Sequence, residues 1–333
     1  MEEKILMAHG NGGSMMNELI NDIIAEIFEK NSLQLDDSAI LHLEKKEIVF
    51  TTDTYTITPI FFNGGDIGKL AVNGTINDLC VMGAEPLYLS CGLILEEGLK
   101  ISELKKILMS MKNAADYAGV KIVTGDTKVV ENGSVDKIFI NTSGVGEVRK
   151  GLFRKDISKG NSVIITGTIG DHGISIMAER SNLSFSRGLS SDSAPLNHML
   201  KSLNIKFPES INFARDATRG GVASVLNEIV HNEDIGIKLI EENLPVKDEV
   251  KGVCEILGLD PLYSANEGKA ILIVKNEDAG KIKDEMKNFE EGKDAEIIGE
   301  VTDEYPGKVF IETFIKGVRI LPLLHEDQLP RIC

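Results

Sequence analysis

Short apolar runs that alternate with helical patterns are the feature that most constrains the fold of this chain. The longest apolar runs, such as Ala270–Val274, are far shorter than the roughly 20 residues that a membrane-spanning helix needs. They have the length of β-strands, and apolar residues recur at helical spacing between them. The chain has 333 residues, of which 42% are hydrophobic, and this length suggests two globular domains. The sequence therefore predicts a two-domain α/β protein.

The first half of the chain has the pattern of one α/β unit, which we place at residues 1–154. Apolar side chains at helical spacing predict an amphipathic helix that begins near Ser14 and runs to Phe28. The predicted strands are Ile48–Thr52, Leu87–Leu95, Val120–Thr124 and Lys137–Val148, and the predicted helices are Asp66–Met82 and Ser102–Ala118.

A second α/β unit is expected over residues 155–321, after the polar stretch Arg154–Asn161. The predicted strands are Ser162–Thr166, Ile235–Leu239, Lys269–Val274, Ala295–Val301 and Val309–Thr313. The predicted helices are Ile174–Arg180, Val222–His231, Val246–Leu257 and Asp278–Phe289. Residues 322–333 have no helical or strand pattern and are expected to form a mobile tail that ends at Cys333.

The charge of the chain limits its partners. The formal net charge is −16, and the Lys and Arg residues are scattered, so we expect no binding to nucleic acid or to an anionic membrane. The chain starts Met1-Glu2-Glu3-Lys4 without a basic leader, which favours a cytoplasmic protein. The cysteines, Cys80, Cys91, Cys254 and Cys333, lie far apart, so a structural zinc site is not expected and the thiols should stay reduced.

Aspartates at element junctions are the candidate functional groups. The segment Gly64–Leu70 has the wrong spacing for a phosphate-binding P-loop, and no Gly-x-Gly-x-x-Gly follows a strand. The junction motifs are Asp36-Asp37-Ser38-Ala39, Thr51-Thr52-Asp53, Asn77-Asp78, Gly125-Asp126-Thr127-Lys128 and Asp216-Ala217-Thr218-Arg219-Gly220-Gly221. A single such motif is usually a turn, but converging carboxylates can hold Mg²⁺ ions that bridge to phosphate oxygens. Five such motifs along one chain predict a binding site for a magnesium nucleotide.

These motifs, in this order, resemble the ATP-binding superfamily of aminoimidazole ribonucleotide synthetase, selenophosphate synthetase and thiamine-phosphate kinase. Three further segments narrow the resemblance to the HypE carbamoyl dehydratases of hydrogenase maturation. They are His9-Gly10-Asn11-Gly12-Gly13, Gly125-Asp126-Thr127-Lys128-Val129 and Pro330-Arg331-Ile332-Cys333. The resemblance runs from about His9 to Cys333, with a departure at Ser38, where many members carry glycine.

The resemblance implies an aminoimidazole-ribonucleotide-synthetase-like fold, a homodimer built from the N-terminal domains, and a defined reaction. A HypF-type carbamoyltransferase would load a carbamoyl group onto Cys333, and ATP would then drive its dehydration to a thiocyanate. The cyano group would pass to iron on a HypC–HypD-type scaffold. An extended arm after Pro322 could reach about 35–40 Å, so the thiol could visit all three sites.

Residue roles are likewise implied by the resemblance. Lys128 and Glu267 would assist proton removal from the substrate that Cys333 carries. The nucleotide would be bound by Asp37, Asp53, Asn73, Asp78, Asp126, Asp216, Thr218, Gly220 and Gly221, and Mg²⁺ by Asp37, Asp78 and Asp126. Considered alone, Lys128 and Glu267 have the character of surface charges. For His172, which follows a Gly-Asp junction at a predicted helix start, we expect a structural role.

Two alternatives remain open on the sequence. One is another enzyme of the superfamily, such as a selenophosphate synthetase or a thiamine-phosphate kinase. A selenophosphate synthetase would need a reactive Cys or selenocysteine near its N-terminus, whereas the first cysteine here is Cys80. The other alternative is a nucleotide-gated scaffold that binds maturation partners without turnover.

Overall fold

The computed structural model describes residues 4–6, 19–27, 47–181, 188–323 and 332–333, and it confirms the two α/β units. Within the helix predicted from Ser14 to Phe28, residues Leu19–Ile24 form a π-helical segment that continues into helix α1, Ala25–Ile27. The rest of that predicted helix lies outside the described residues.

A four-stranded sheet and two helices form the first domain. The strands are β1 (Ile48–Tyr55), β4 (Glu85–Glu96), β5 (Lys121–Val130) and β6 (Ile138–Glu147), in the order β1-β6-β4-β5, and β2 (Phe61–Phe62) pairs with β3 (Gly65–Asp66) in a small ribbon. The helices are α2 (Ile67–Val81) and α3 (Ile101–Ala118). They pack on one face of the sheet. The other face carries exposed apolar side chains such as Phe50 and Ile94.

Helix α2 is the element on which the two domains meet. Its N-cap is Asp66, whose carboxylate accepts a hydrogen bond from the Gly68 amide at 2.7 Å. Almost every α2 residue is buried, because the helix packs against the sheet, against α3 and against the second domain. A Cβ at Gly68 would stand 2.5 Å from the Ile107 carbonyl oxygen, so glycine there allows α2 and α3 to approach closely.

The second domain is built on a seven-stranded sheet of order β13-β12-β9-β11-β7-β10-β8. The strands are β7 (Ser162–Ile165), β8 (Ile211–Asp216), β9 (Gly236–Ile240), β10 (Ala270–Val274), β11 (Glu296–Thr302), β12 (Val309–Glu312) and β13 (Val318–Leu321). The helices are α4 (Asp171–Arg180), α5 (Asn197–Lys206), α6 (Gly221–Val230), α7 (Asp248–Leu257) and α8 (Asn276–Met286). Short 3₁₀ turns occupy Glu241–Asn243, Pro261–Tyr263 and Glu290–Gly292.

Strand β10 shows why this sheet needs helices on both faces. All five of its residues are buried, and successive side chains enter opposite cores. Ile271 and Ile273 join the core beneath α6, whereas Leu272 and Val274 join the core beneath α5 and α8. A continuous apolar run is the pattern expected of a strand buried on both faces.

Three elements of the second domain were not predicted from the sequence: α5, β8 and β13. The first two supply residues to the interface between the domains. Strand β13 lies at the sheet edge, where Val318 and Ile320 are exposed. No helix in the described ranges is long and apolar enough to cross a bilayer.

Candidate active site

An acidic cluster lies where α2 of the first domain faces the second domain. Asp78, near the end of α2, accepts a hydrogen bond from Thr51 of β1 at 2.9 Å. Burial raises the pKa of Asp78, and the charge of Asp53 raises it further. Asp216 ends strand β8 of the second domain; burial, followed by the charge of Asp78, raises its pKa to about 7. The fold thus brings together three of the predicted nucleotide-binding aspartates.

Glu267 is a buried acid on the second domain, next to strand β10. Its residue is 2% exposed, and Oε1 has no hydrogen-bond partner within the described part of the chain. Burial raises the pKa of Glu267 well above its usual value. Smaller contributions in the same direction come, in decreasing order, from Asp216, Asp192, Asp53 and Asp78. Burial and the neighbouring aspartates therefore both favour the protonated form of Glu267, which faces the same cluster as Asp78 and Asp216.

Asp192 holds the segment around Glu267 in place. One carboxylate oxygen accepts a hydrogen bond from the Glu267 backbone amide at 3.1 Å, and the other accepts one from the Asn266 side-chain amide at 2.8 Å. The Asn266 amide also donates to the Thr168 carbonyl, and its oxygen accepts from the Gly170 amide. Neither Asp192 nor Asn266 was a candidate from the sequence. Asp192 lies in Ser190-Ser191-Asp192-Ser193, a run that carries no recognisable motif.

Tyr55 is a second residue that the sequence did not single out. It is buried at the end of β1, and burial, followed by the charges of Asp53 and Glu267, raises its pKa well above its usual value. Gly74 of α2 makes room for the ring: a Cβ at Gly74 would clash with the phenol oxygen and stand 3.1 Å from Cζ. The Tyr55 phenol thus lies against α2 within electrostatic range of the buried acids.

The last two residues of the chain are docked against this site. The Ile332 side chain is 2% exposed and joins the core of the first domain, and the sulfur-bearing residue Cys333 packs at its margin. The Thr56 amide, next to Tyr55, donates to a main-chain oxygen of Cys333 at 3.1 Å. His172 of α4 bonds the Ile332 carbonyl oxygen through Nε2 at 2.6 Å. Residues 324–331 of the predicted tail lie outside the described residues, and movement of the arm stays a prediction.

The other three thiols are buried. Burial raises the pKa of Cys91 to about 12 and, with a smaller contribution from Asp260, that of Cys254 to about 11. Burial also raises the pKa of Cys80 well above its usual value. Because the thiolate is the nucleophile, these three sites are unreactive at neutral pH.

Lys128 and Asp126 occupy a different part of the fold from Glu267. Both lie on the edge strand β5, where they form an exposed ion pair at 3.3 Å. In the register of β4 and β5, Lys128 stands beside Ile94 and Asp126 beside Gly92. They therefore lie on the open face of the first sheet, whereas Glu267 is buried at the contact between the domains.

The remaining candidates are placed as follows. Asn73 is buried in α2, and its side-chain amide donates a hydrogen bond to Ser193 Oγ at 3.2 Å. The two residues lie at the wall of a cleft of about 650 Å³ between α2, α3 and residues 193–195.

The loop from Thr218 to Gly221 leads from Asp216 into α6. A Cβ at Gly221 would stand 2.6 Å from the Leu262 and Ser264 carbonyl oxygens. Gly221 therefore has a packing reason to be glycine, and nucleotide binding by this loop stays a prediction.

The predicted magnesium ligands are only partly assembled by this chain. Asp37 lies outside the described residues, and Asp126 is apart from Asp78 on the open sheet face. Among the described residues, no three His, Cys, Asp or Glu side chains converge to hold a metal ion by themselves. The donor chemistry of Asp78 and Asp216 nevertheless fits Mg²⁺, which prefers carboxylate oxygens. Both carboxylates raise the pKa of Glu267, and a bound cation would offset this charge repulsion.

Both domains of the chain are similar in sequence to known proteins. Residues 35–148 match the family described as AIR synthase related protein, N-terminal domain, and residues 158–312 match AIR synthase related protein, C-terminal domain. The chain is 42% identical to the carbamoyl dehydratase HypE of Rhodobacter capsulatus, over 100% of this chain and 99% of that protein. It is 44% identical to the carbamoyl dehydratase HypE of Escherichia coli, over 99% of each chain.

Solved structures show the same similarity. The crystal structure of the hydrogenase maturation protein HypE in complex with ATP has a TM-score of 0.93 and 43% identity, covering 98% of this chain and 99% of that one. A structure of the HypE–HypF complex has a TM-score of 0.80 and 47% identity, covering 94% and 100%. Thiamine monophosphate kinase from Aquifex aeolicus, at 20% identity and a TM-score of 0.60 over 90% of this chain and 98% of that one, shares the fold. The predicted fold class is thereby confirmed.

Proposed function

Since the chain belongs to the AIR synthase related family and, within it, to the HypE carbamoyl dehydratases, we propose that it dehydrates a carbamoyl group carried on Cys333 in an ATP-dependent reaction. The product is a thiocyanate, which supplies the cyanide ligand of [NiFe]-hydrogenase iron. The observation that carries this proposal is the position of Cys333. A main-chain oxygen of Cys333 accepts a hydrogen bond from the Thr56 amide, one residue from Tyr55, beside the buried acids of the interface between the domains.

The chemistry requires an activated oxygen and a base. The carboxamide oxygen attacks the γ-phosphorus of ATP, which releases ADP. The product is an imidate phosphate, in which the phosphoryl group is on that oxygen and the carbon remains bonded to the Cys333 sulfur. Loss of the nitrogen protons then drives cleavage of the carbon–oxygen bond, so that phosphate departs with the original amide oxygen and a nitrile remains. Glu267 is the base in this proposal, because its Oε1 has no hydrogen-bond partner among the described residues and is held in a rigid segment by Asp192.

Mg²⁺ is part of the proposal as the counter-charge for the nucleotide. Asp78 and Asp37, two of the three predicted ligands, would hold it together with Asp216, which takes the place of the predicted Asp126. A Mg²⁺ ion held by these carboxylates would supply positive charge to offset that of the phosphates during phosphoryl transfer. The carboxylates alone would repel ATP, because a cluster of acids in this acidic chain disfavours an anionic ligand.

A homodimer formed through the open face of the first sheet would bring Lys128 into the interface. Phe50, 65% exposed, and Ile94, 40% exposed, lie on that face and would be covered by a second copy. The same face carries a polar row in which the Asn141 amide donates to Thr52 and Thr54 hydroxyl oxygens at 3.2 and 2.9 Å. We place the assistance of Lys128 in proton removal within this assembled dimer.

The partners in this proposal follow from the relatives. A HypF-type carbamoyltransferase would load Cys333, in keeping with the solved HypE–HypF complex, and a HypC–HypD-type scaffold would accept the cyano group. We propose that these steps take place in the cytoplasm.

Single-turnover ATP hydrolysis tests this function. Protein carbamoylated at Cys333 should form about one ADP for each thiocyanate, whereas uncarbamoylated protein should form far less ADP in the same time. Stoichiometric carbamoylation without ADP formation would instead support a scaffold that binds its partners without turnover.

A further inference from the structure

His172 is a fully buried histidine that has no part in the reaction described above. It lies in the first turn of α4, and both of its ring nitrogens are bonded. Nδ1 is 2.8 Å from Ser191 Oγ, and Nε2 is 2.6 Å from the carbonyl oxygen of Ile332. The ring edge also packs against Phe62 in a T-shaped contact with centroids 5.6 Å apart.

The partners of His172 determine where its proton lies. A carbonyl oxygen can only accept a hydrogen bond, so Nε2 must carry the hydrogen toward Ile332. Burial lowers the pKa of His172, so the ring is neutral and Nδ1 accepts from the Ser191 hydroxyl. Ser191 Oγ in turn accepts the Ser193 amide at 3.2 Å. The bonds form one directed chain from the Ser193 amide through Ser191 and His172 to Ile332.

This series of hydrogen bonds ends at the carbonyl oxygen of Ile332, the residue before the carrier cysteine Cys333. The bond from His172 and the bond from the Thr56 amide both go to main-chain oxygens, so neither uses the sulfur atom. Thr56 follows strand β1 of the first domain, and His172 lies on α4 of the second. Residues of both domains therefore hold the end of the chain: Thr56 bonds Cys333 through its amide and its hydroxyl, and His172 bonds Ile332. The Ile332 side chain is buried at the same place.

We propose that His172 is a positioning residue that docks the C-terminal arm, through the Ile332 carbonyl, so that the group on Cys333 is presented to the site between the domains. The inference rests on the proposed function, since it assigns a purpose to docking the carrier residue. His172 touches neither the nucleotide nor the reacting atoms in this account. It selects the docked arrangement of the arm over arrangements in which the thiol is exposed to solvent.

The first test measures docking without any reaction. Alkylation of Cys333 by iodoacetamide, followed by peptide mass spectrometry, reports how often Cys333 leaves its docked position and becomes accessible to the reagent. In His172→Leu, which cannot donate to Ile332, the alkylation rate should rise about tenfold or more, as expected when a buried hydrogen bond to the docked state is lost. His172→Gln, which retains a donor, should recover part of the protection. The matched control is His198→Leu, an exposed histidine bonded to the Tyr117 carbonyl, and it should behave like the parent.

The second test measures presentation during turnover. Carbamoylated His172→Leu should dehydrate its carbamoyl group at least about tenfold more slowly at saturating ATP, with ATP affinity unchanged, because the defect lies in the docked fraction. If His172→Leu fails to fold by circular dichroism, we use Ser191→Ala, which removes the hydrogen bond that orients the ring through Nδ1. This variant should change both rates in the same directions but by smaller factors. Parental alkylation and dehydration rates in a folded variant would overturn the inference. Absence of dehydration in His198→Leu and the parent would overturn the proposed function, while the alkylation result would still decide docking.

Discussion

The side-chain amide of Asn77 donates a hydrogen bond to the backbone carbonyl of Glu267 at 3.3 Å, joining the two domains at the buried acid. The same amide donates to the Ala194 carbonyl at 3.1 Å, and Asn77 Oδ1 accepts the Leu196 amide at 2.8 Å. Asn77 precedes Asp78 in the motif that predicted nucleotide binding. In the structure its side chain is a clamp between the domains, which sets the position of Glu267 relative to α2.

Asn77→Ala should therefore destabilise the protein. The change removes three hydrogen bonds and leaves buried backbone groups of Ala194, Leu196 and Glu267 with fewer partners, so we expect a loss of about 2–4 kcal/mol in the free energy of unfolding. Urea unfolding measures the change. Asn288→Ala, which removes an exposed side-chain contact with Glu285, is the matched control and should cost less than about 0.5 kcal/mol. Equal stability of the two variants would show that Asn77 is not a clamp.

Nucleotide binding should depend on Mg²⁺ and on Asp78. We expect ATP affinity to fall sharply in excess chelator, which removes the metal. Asp78→Asn should weaken binding of the magnesium nucleotide by about 2–3 kcal/mol, because a charged metal ligand is lost. Asp126→Asn should weaken binding less, because Asp126 is exposed and paired with Lys128. Titration calorimetry provides the affinities. Metal-independent binding that is unaltered in both variants would contradict the assignment of the aspartates.

The pKa of Asp216 predicts how the metal-free protein responds to pH. An unfolded aspartate titrates near pH 4, whereas burial and Asp78 raise the pKa of Asp216 to about 7 in the folded protein. Between these values the folded state holds a proton that the unfolded state releases, so the free energy of unfolding falls as pH rises from about 4 to about 7.

Asp216→Asn is the test of that response, since its amide stays neutral throughout. The stability of this variant relative to the parent should rise over the same pH range and level off above about pH 7. Urea unfolding in chelator at several pH values measures the difference, and addition of magnesium ATP should reduce the penalty in the parent alone. A difference that does not change with pH would show that Asp216 titrates normally.

Proton removal should depend on Glu267 more than nucleotide binding does. Glu267→Gln keeps the size of the side chain but removes the base, so dehydration should slow by about 10²-fold or more while ATP affinity holds. In the parent the rate should rise with pH until Glu267 ionises, since its pKa is raised and the base must be charged. That rise should be absent from the variant. Single-turnover mass spectra across pH provide the rates, and a parental rate in Glu267→Gln would remove this residue from the mechanism.

Lys128 provides a separate test of the assembled dimer. Lys128→Met should keep carbamoylation of Cys333, because the partner enzyme performs that step, and should accumulate the thiocarboxamide. Phe50→Asp should produce the same defect if the open sheet face is the dimer interface, since burying an unpaired charge there would prevent association. Size-exclusion chromatography with intact mass spectrometry checks both. A parental thiocyanate yield in Lys128→Met would reduce Lys128 to a surface charge.

The sequence predicted the fold where local pattern and tertiary burial agree. Strand β10 was predicted at Lys269–Val274, one residue longer than observed, because a strand buried on both faces has a continuous apolar run. Helix α5 was not predicted, since two of its buried positions are the polar residues Asn197 and Asn204, which interrupt the apolar pattern of the helix. Strand β8 contains Asn212 and Asp216, polar residues that tertiary hydrogen bonds and the acidic cluster hold in a core position, so its local pattern is weak.

The site was predictable only where a motif carried it. Asp78 and Asp216 were candidates because both belong to the ordered series of motifs, and the fold brings them to one acidic cluster. Nucleotide binding by them stays a prediction. Asp192 could not be found, because its role depends on bonds to Asn266 and Glu267, about 75 positions along the chain, that exist only after folding. The sequence led us to expect a structural role for His172, and nothing local to α4 indicates that its partner is Ile332, 160 residues away.

Intact-mass spectrometry on the full chain tests the central claim most directly. After incubation with the carbamoyltransferase, carbamoyl phosphate and magnesium ATP, the parent should gain a carbamoyl group and then lose one water as the thiocyanate forms. Cys333→Ala should show neither change while binding ATP normally, because Cys80, Cys91 and Cys254 are buried with raised pKa values. A carbamoyl or thiocyanate mass that persists in Cys333→Ala, or a parent that never loses water, would contradict the account.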